Sequence, residues 1–363
     1  MKGIIIASEQ LPPLDDLETL WREFDRLGAH EFFATWTWIG TWLRALPGSV
    51  KPRLLKAMQG DALVGLATLT ISRCKLHGLV PISQAWLNAT GDSDLDDLTI
   101  EHNGFASANL RSDDLLQALI RSFAEGHIPT DELVLPGVAS LAAAQTGLIE
   151  AGKLVPGFRA RLDALDADHG IEPLLSSNAR QQLRRSLRAV QRIGPVSVEV
   201  GRDLSTTLEF FADLKTLHVR WWERRGRRHA FSNPFFEKFH RALIVNGFAN
   251  RTIDMLRVTA GDQILGYLYN FRRNGKVSSY QSGFPDTFPD LRPGYVCHAV
   301  AMRYYASSGM AYYDFLGGSN RLKQSFGVES YELCWHRLRR KTTVFRIEAR
   351  ARKIAASLKR RRS

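Results

Sequence analysis

Apolar positions in the first half of the chain follow helical spacing and then strand spacing. Spacings of three and four residues predict a helix over residues 14–27, and a run rich in Trp and Phe over residues 32–46 predicts a second, deeply buried helix. The period then falls to two, which predicts strands over residues 53–58 and 62–71 joined by a tight turn at Gly60-Asp61. Further elements are predicted over residues 84–89, 113–124, 131–135 and 139–151, of which the second and fourth are helices.

The second half shows a similar order of helices and strands. Helices are predicted over residues 205–225 and 234–246, and a second hairpin follows them. Residues 54–65 align without a gap with residues 255–266, and the class of side chain matches at each position. A shared Gly-Asp turn can arise by chance, but an ungapped match in equivalent contexts favours duplication of one unit. We therefore predict the α/β (α+β) class, with two copies of one unit.

A candidate anion site follows the strand predicted over residues 276–283. The chain runs through a loop to Arg292 and Pro293, and Gly294 opens a helix that extends to about residue 308. The N–H groups at a helix N-terminus attract phosphate, and Gly294 allows close approach while Arg292 adds positive charge. A pyrophosphate group fits such a corner. The alternative interpretation is a Pro-Gly turn that only begins a helix.

A second candidate is the carboxylate of Asp314. This residue lies near the end of a buried strand predicted over residues 311–316, and Gly317-Gly318 turns the chain directly afterwards. Ligands of α/β proteins favour that edge of the sheet, which makes Asp314 a candidate functional residue. A structural carboxylate that caps the turn is the alternative.

These motifs carry a resemblance to a known family. The second half resembles the CelD/BcsL-like acyltransferases of the GNAT superfamily, which are also similar to the Fem aminoacyl transferases. The matching segments are Leu291-Arg292-Pro293-Gly294, Tyr313-Asp314-Phe315-Leu316-Gly317-Gly318 and Leu322-Lys323-Gln324-Ser325-Phe326-Gly327, with Phe33 to Trp36 and Leu87 to Gly91 in the first half. The resemblance implies two tandem GNAT-type acyl-CoA N-acyltransferase domains with mixed central sheets flanked by helices. We place a degenerate domain at residues 1–165, a donor-binding domain at 166–342 and a basic C-terminal helix at 343–363.

The resemblance also implies a donor site. The pyrophosphate of acetyl-CoA or a longer acyl-CoA would lie on the cofactor-binding residues Arg292, Gly294, Tyr295 and Val296, and the strand of Tyr280, Gln281 and Ser282 would pair with the pantetheine. The Arg-Pro-Gly loop departs from the commoner glycine-rich GNAT loop, so an aminoacyl-tRNA or an acyl carrier protein stays open as the donor. Lys323 matches a Fem motif whose lysine lies at the reacting centre, and it would hold phosphate or stabilise an oxyanion.

Acyl transfer needs a neutral nucleophile, a polarised carbonyl and a proton for the departing thiolate. We assign Asp314 as the acceptor-side base, Tyr280 as the proton donor and Lys323 as the electrostatic stabiliser. The acceptor implied by the resemblance is an amine or hydroxyl, on a small molecule or a precursor of cell-envelope glycan or exopolysaccharide. A Fem-like aminoacyl transferase and a non-catalytic partner in polysaccharide synthesis are the alternatives.

Other basic residues offer weaker candidates. Arg184 and Arg188 fall on one helical face and could clamp acceptor phosphates, and Trp222 could stack on a substrate ring, although a solvated face and core packing explain them equally simply. Neither the histidines nor the three cysteines show metal-ligand spacing, so we expect no metal, and the cysteines are predicted to be core thiols. We expect no DNA partner.

Composition and charge bear on the cellular location of the protein. Hydrophobic residues make up 44% and charged residues 24%, as in globular proteins, and no apolar run approaches the roughly 20 residues needed to cross a bilayer. We therefore expect a cytoplasmic protein. Most of the net charge of +12 lies in residues 337–363, where apolar residues at helical spacing predict an amphipathic helix. Such a helix suits peripheral contact with the anionic inner face of a membrane, and docking as a last helix is the alternative.

Overall fold

The computed structural model describes residues 3–28, 30–139, 147–166, 168, 170–287 and 291–348. Its contacts divide the chain into two compact units. Unit 1 comprises residues 1–154 and 333–363, and unit 2 comprises residues 155–332. Domain boundaries at residues 165/166 and 342/343 stay a prediction.

Unit 1 is a mixed sheet with helices. Its strands are β1 (Ile4–Gln10), β2 (Arg53–Gln59), β3 (Ala62–Leu76), β4 (Val80–Leu87), β5 (Ala106–Ser107) and β6 (Glu132–Ala139), and its helices are α1 (Leu14–Leu27), α2 (Trp36–Ala45) and α3 (Ser112–Glu125). The strand order is β1-β2-β3-β4-β6, with β4 and β6 parallel and the other pairs on this path antiparallel. The helices predicted over residues 14–27, 32–46 and 113–124 are confirmed with small shifts of their ends.

Unit 2 repeats this plan. Its helices are α4 (Ser177–Gln191), α5 (Leu204–Glu223), α6 (Pro234–Phe248), α7 (Pro293–Ser307) and α8 (Arg321–Phe326). Its strands are β8 (Val196–Val200), β9 (Ile253–Ala260), β10 (Gln263–Arg273), β11 (Lys276–Gly283) and β12 (Tyr312–Gly317). The order is β12-β11-β10-β9-β8, and only β11 and β12 are parallel among these described strands. Two further strands, β7 (Ile149–Arg161) and β13 (Glu329–Arg339), have residues assigned to both units.

The sheet of unit 2 is covered by helices on both faces because residues of β10 alternate between them. Tyr267 and Tyr269 contact Phe210 and Phe211 of α5, at ring-centroid distances of 5.5 and 5.6 Å. Leu268 instead belongs to the buried apolar cluster that contains residues of α7. This alternation is the period of two expected of a strand buried on both faces.

The internal repeat predicted from residues 54–65 and 255–266 reappears in the backbone. Both segments are hairpins that follow a pair of helices, and each hairpin carries an irregularity at the same aligned place. In β2 and β3 the register shifts at Ala57, and in β9 and β10 it shifts at the aligned Val258. A shared β-bulge is a conserved feature of related folds rather than an accident, so it supports duplication of one unit.

The helix predicted over residues 139–151 is wrong at both of its described ends, since β6 ends at Ala139 and β7 begins at Ile149. Strand β7 contains Gly152, Pro156 and Gly157, which hide its strand pattern from sequence analysis.

The prediction of core cysteines holds for Cys297 and Cys334, but Cys74 is exposed.

Only the start of the predicted basic helix falls within the described residues. Residues 343–348 are helical, Phe345 is buried, and Glu348 pairs with Arg339. The rest of the amphipathic pattern, with Ala351, Ile354 and Leu358, lies outside the described residues, as does the predicted membrane contact. In the part of the chain that is described, no helix is both long enough and apolar enough to span a bilayer.

Candidate active site

The candidate site lies where two parallel strands of unit 2 separate. Strands β11 and β12 pair only from Lys276 to Ser278 and from Tyr312 to Asp314 among the described residues. After this point β11 continues beside β10, whereas β12 bulges against β7, with Leu316 in a left-handed conformation at a φ of 62°. The separation leaves one edge of β11 facing a gap.

A cavity of about 340 Å³ occupies this gap. Helix α5 contributes three side chains, β11 and the loop after it contribute six residues, and α7, β12 and the α8 region supply the rest. The lining residues are His218, Trp221 and Trp222; residues 279–284; His298; and Phe315, Asn320, Leu322 and Lys323.

The structure brings several of the predicted site residues together here. The cavity lining includes Tyr280, Gln281, Ser282, Lys323 and Trp222. The other predicted residues do not line the cavity: Asp314, Arg292, Gly294, Tyr295, Val296, Arg184 and Arg188. Two histidines that were not among the predicted site residues, His218 and His298, also line the cavity.

The open edge of β11 carries a backbone donor and acceptor on the same residue. The N–H of Ser282 donates to the side-chain oxygen of Gln281 at 3.1 Å, and the carbonyl of Ser282 is 3.3 Å from Nδ1 of His218. A carbonyl only accepts, so Nδ1 of His218 carries the hydrogen. Burial lowers the pKa of His218 to about 4, which keeps this ring neutral near pH 7. Ligand binding at this edge must replace the local Gln281 contact.

Tyr280 lines the cavity, but its hydroxyl points to α6. The phenol oxygen is 3.1 Å from Nε2 of His240, a fully buried residue whose pKa is lowered by burial. The ring of Tyr280 also stacks near Phe236 and packs against Phe271. The role of Tyr280 as proton donor to a thiolate stays a prediction.

Lys323 is held at the carboxyl end of β12. Its Nζ donates to the carbonyl of Gly317 at 2.5 Å and to that of Leu316 at 3.4 Å. Asn320 caps α8 by accepting from the backbone N–H of Lys323 at 2.9 Å. These contacts fix a positive charge at the wall of the cavity.

His298 stands in the same wall on α7. It is 5% exposed, and its Nδ1 is 2.9 Å from the hydroxyl of Tyr313. Burial, aided by the charge of Lys323, lowers the pKa of His298 to about 3. The sequence does contain one indication of this position. His298 follows Gly294 by four residues, so the two residues share one face of the predicted helix.

The helix start of the predicted phosphate corner is buried behind the cavity wall. Arg292 caps α7 in a left-handed conformation at a φ of 47°, and residues 293–296 are buried. A methyl group added at Gly294 would lie 3.2 Å from Leu322 and 3.3 Å from Phe284, and both of those side chains line the cavity. Gly294 therefore lies directly behind the cavity wall. Residues 288–290 of the preceding loop are outside the described residues, and the anion seat stays a prediction.

Asp314 has the surroundings of a structural carboxylate. It is 1% exposed, and its Oδ1 accepts from the backbone N–H of Leu316 at 2.8 Å and from the hydroxyl of Tyr331 at 2.6 Å. Its Oδ2 lies 3.6 Å from Nζ of Lys276. These contacts hold the bulge that separates β12 from β11. The assignment of Asp314 as a base stays a prediction, and the geometry matches the structural alternative.

Replacing Asp314 by asparagine is expected to destabilise the protein by about 1–3 kcal/mol, because a buried charged acceptor loses its charge beside Tyr331 and Lys276. Chemical denaturation measures the loss, and Asp262→Asn in the exposed β9–β10 turn is the matched control. A stable Asp314→Asn variant without transfer activity would instead favour the base.

Neither predicted arginine of α4 reaches the cavity. The guanidinium of Arg184 pairs with Glu172 at 2.5 Å, and Nε of Arg188 donates to the backbone carbonyl of Arg184 at 3.3 Å. Within the described ranges, no group of three or more His, Cys, Asp or Glu side chains is placed to hold a metal ion. Substrate binding by Arg184 and Arg188 stays a prediction.

The corresponding gap in unit 1 is bridged by a side chain, and a cavity of about 200 Å³ lies beside it, with Trp86, Asn88 and Pro136 in its lining. Strands β4 and β6 are the parallel pair of this unit, joined from Gln84 to Trp86 and from Glu132 to Val134. Beyond that pairing, the buried amide of Asn103 donates to the carbonyls of Leu87 and Pro136, at 3.0 and 2.9 Å. Unit 2 has no such bridge recorded between β11 and β12 among the described residues, and the absence of a donor site in the first copy stays a prediction.

Comparisons with known proteins agree on the type of fold. Residues 177–324 match the family model described as an acetyltransferase (GNAT) domain. No curated protein matches the sequence. Among solved structures the chain is similar to FemX, at 13% identity and a TM-score of 0.57 over 92% of this chain and 96% of FemX. It is also similar to a conserved protein of unknown function from Bacteroides thetaiotaomicron, at 9% identity and a TM-score of 0.51 over 93% of this chain and all of the other.

At these identities the structural likeness shows the fold alone. Because the FemX match extends over nearly the whole chain, the predicted mixed α/β fold is confirmed. The family match lies entirely within unit 2 and includes the separating strands β11 and β12.

Proposed function

We propose that the GNAT acetyltransferase domain of residues 177–324 moves an acyl group from an acyl-CoA to an amine or hydroxyl. The observation that carries this proposal is the gap between β11 and β12, with its 340 Å³ cavity and the backbone edge of Ser282. An amide-containing chain such as pantetheine can hydrogen-bond to such an edge as an added strand does. The thioester would then lie beside Lys323 and His298.

The acceptor would approach over the indole rings of Trp221 and Trp222. Flat apolar rings stack on sugar or base rings, and both side chains line the cavity. A precursor of cell-envelope glycan or exopolysaccharide is the acceptor class that we propose, on the strength of the family resemblance. Peripheral attachment to the inner face of a membrane through residues 343–363 is part of the same proposal, because it would bring the enzyme to lipid-linked acceptors.

Replacing Ser282 by proline tests the donor site. The N–H of Ser282 bonds to a side chain and not to β10, so proline removes only the donor offered to the ligand. We expect Ser282→Pro to weaken acetyl-CoA binding at least about tenfold, because a buried acceptor of the ligand would be left without its hydrogen bond. Ser282→Ala keeps the backbone N–H and should leave binding unchanged. Isothermal titration calorimetry measures both, after thermal unfolding has shown that the variants fold.

The same titration distinguishes the other donors. Wild-type protein is titrated with acetyl-CoA, longer acyl-CoAs and free CoA, and separately with an acyl carrier protein and an aminoacyl-tRNA at physiological salt. Binding of aminoacyl-tRNA without binding of any acyl-CoA would contradict the proposal and favour a Fem-like aminoacyl transferase. Failure of every donor to bind would favour a non-catalytic partner.

A further inference from the structure

A chain of three side chains ends at the cavity of unit 2. The hydroxyl of Ser279 hydrogen-bonds to the phenol oxygen of Tyr313, and this contact lowers the pKa of Tyr313, as a bond donated to the oxygen does. Burial outweighs that effect and raises the pKa of Tyr313, so the phenol keeps its own hydrogen. We assign the Ser279 hydroxyl as the donor in this contact, which leaves the phenol hydrogen of Tyr313 to be donated elsewhere.

That hydrogen fixes the tautomer of His298. Nδ1 of His298 is 2.9 Å from the Tyr313 oxygen, and because Ser279 is assigned as a donor to that oxygen, we assign Nδ1 as the acceptor of the phenol hydrogen. A neutral imidazole carries one hydrogen, which must then be on Nε2. The ring is neutral near pH 7 because its pKa is about 3. No other described residue hydrogen-bonds to the ring, so the Nε2–H has no partner there.

The imidazole ring of His298 lies at the cavity wall, where a hydrogen-bond donor could reach a bound ligand. His298 lines the cavity between the separated strands, and Tyr313 occupies its Nδ1 side. The edges of Phe284 and Phe315 border the ring, at centroid distances of 6.1 and 5.3 Å. The Nε2–H therefore faces the cavity from an apolar and buried wall, beside the fixed ammonium of Lys323. An electrostatic contact in such surroundings is stronger than in water.

We propose that the Nε2–H of His298 donates to the carbonyl oxygen of the bound thioester and, with Lys323, forms the oxyanion site. The inference rests on the proposed function, because it requires a thioester in the cavity. The lone pair of the acceptor attacks the carbonyl carbon, and the electrons of the C=O π bond move to the oxygen that His298 and Lys323 bind. The C–S bond then breaks, and the thiolate leaves with its electron pair. The proton lost by the acceptor balances the one that the thiolate gains.

His298 transfers no proton in this scheme. A neutral imidazole is the suitable donor because it need not be deprotonated during the reaction, and its hydrogen bond strengthens as negative charge develops. Free CoA has no carbonyl at this position. His298 should therefore affect the rate and leave the affinity for free CoA unchanged.

Two variants separate the hydrogen bond from the packing. In His298→Asn the amide can take the place of Nδ1 and keep the contact with Tyr313, but nothing replaces Nε2. In His298→Gln the longer side chain can place an amide N–H where Nε2 was. Release of CoA thiol is measured from acetyl-CoA with hydroxylamine as the probe acceptor, and binding of free CoA is measured by calorimetry.

We expect His298→Asn to lower kcat/KM by about 10²–10³-fold with unchanged affinity for free CoA, and His298→Gln to recover at least about tenfold of that loss. A His298→Asn variant with the wild-type rate would overturn the proposal. So would a His298→Gln variant that is no faster than His298→Asn although both fold.

A spectroscopic measurement tests the contact directly. Acetyl-CoA labelled with ¹³C at the carbonyl is bound to the wild-type protein without an acceptor, and its C=O stretch is recorded by infrared difference spectroscopy. We expect the C=O band of the bound thioester to lie at a lower frequency than in water. In His298→Asn we expect the band to move back towards its frequency in water. Binding without a change between the two proteins would overturn the role of His298. Absence of binding to the wild-type protein would instead contradict the donor proposal.

Discussion

Replacing Lys323 by methionine is expected to lower the rate of acyl transfer by about 10²–10³-fold, the usual cost of removing one charged donor from an oxyanion site. The ammonium of Lys323 is held by the carbonyls of Gly317 and Leu316, so its charge is already in place before a ligand binds. Methionine has a similar length and keeps the packing of the stem. Thiol release from acetyl-CoA measures the rate.

The affinity for free CoA separates the two roles proposed for Lys323. If Lys323 stabilises the oxyanion, Lys323→Met binds free CoA as the wild-type protein does, because free CoA lacks the carbonyl. If the affinity for free CoA falls as much as the rate, Lys323 holds a phosphate. Arg321→Met, two residues earlier in the same helix and exposed, is the matched control and should change neither quantity.

Replacing Asn103 by alanine is expected to destabilise the protein by about 3–5 kcal/mol. The side chain is 2% exposed; its amide nitrogen donates to the carbonyls of Leu87 and Pro136, and its oxygen accepts from Asn88 at 2.8 Å. Alanine removes these three buried hydrogen bonds, although the Asn88 amide keeps its bond to the carbonyl of Gly104, and each lost bond costs about 1–3 kcal/mol. Urea denaturation followed by tryptophan fluorescence measures the change.

Asn109→Ala is the control for this prediction, since Asn109 is exposed in the same part of unit 1. A loss of less than about 1 kcal/mol in Asn103→Ala would show that the ends of β4 and β6 are not held together by this bridge. An Asn103→Ala protein that folds should also bind acetyl-CoA normally, because the proposed donor site consists of residues of unit 2.

The main elements were predictable because their patterns are local. Helices α1 and α3 have apolar residues at spacings of three and four, and the hairpins have a turn between alternating strands. Strand β7 was not predictable, since its glycines and proline lack the alternation of a half-buried strand. The helix predicted across its start failed for that reason.

The candidate site was only partly predictable. Lys323 belongs to a motif that carries the family resemblance, Gln281 and Ser282 lie on the strand that the resemblance assigns to the donor, and all three line the cavity. Asp314 belongs to such a motif too, but the partners that enclose it, Tyr331 and Lys276, lie on other strands. Its surroundings depend on the pairing of those strands, which the local sequence around Asp314 does not specify.

The sequence by itself determined the class of fold, favoured a duplication, and singled out residues 276–327, which supply most of the cavity lining. Each of these follows from the spacing of side chains along the chain or from motifs that lie within it. The tertiary structure decided which side chains face the gap, because the bulge at Leu316 turns β12 away from β11 and opens the cavity there. It also decided the state of His298. Burial lowers the pKa of His298, and Tyr313 on a neighbouring strand hydrogen-bonds to its Nδ1; no pattern in the linear sequence records either.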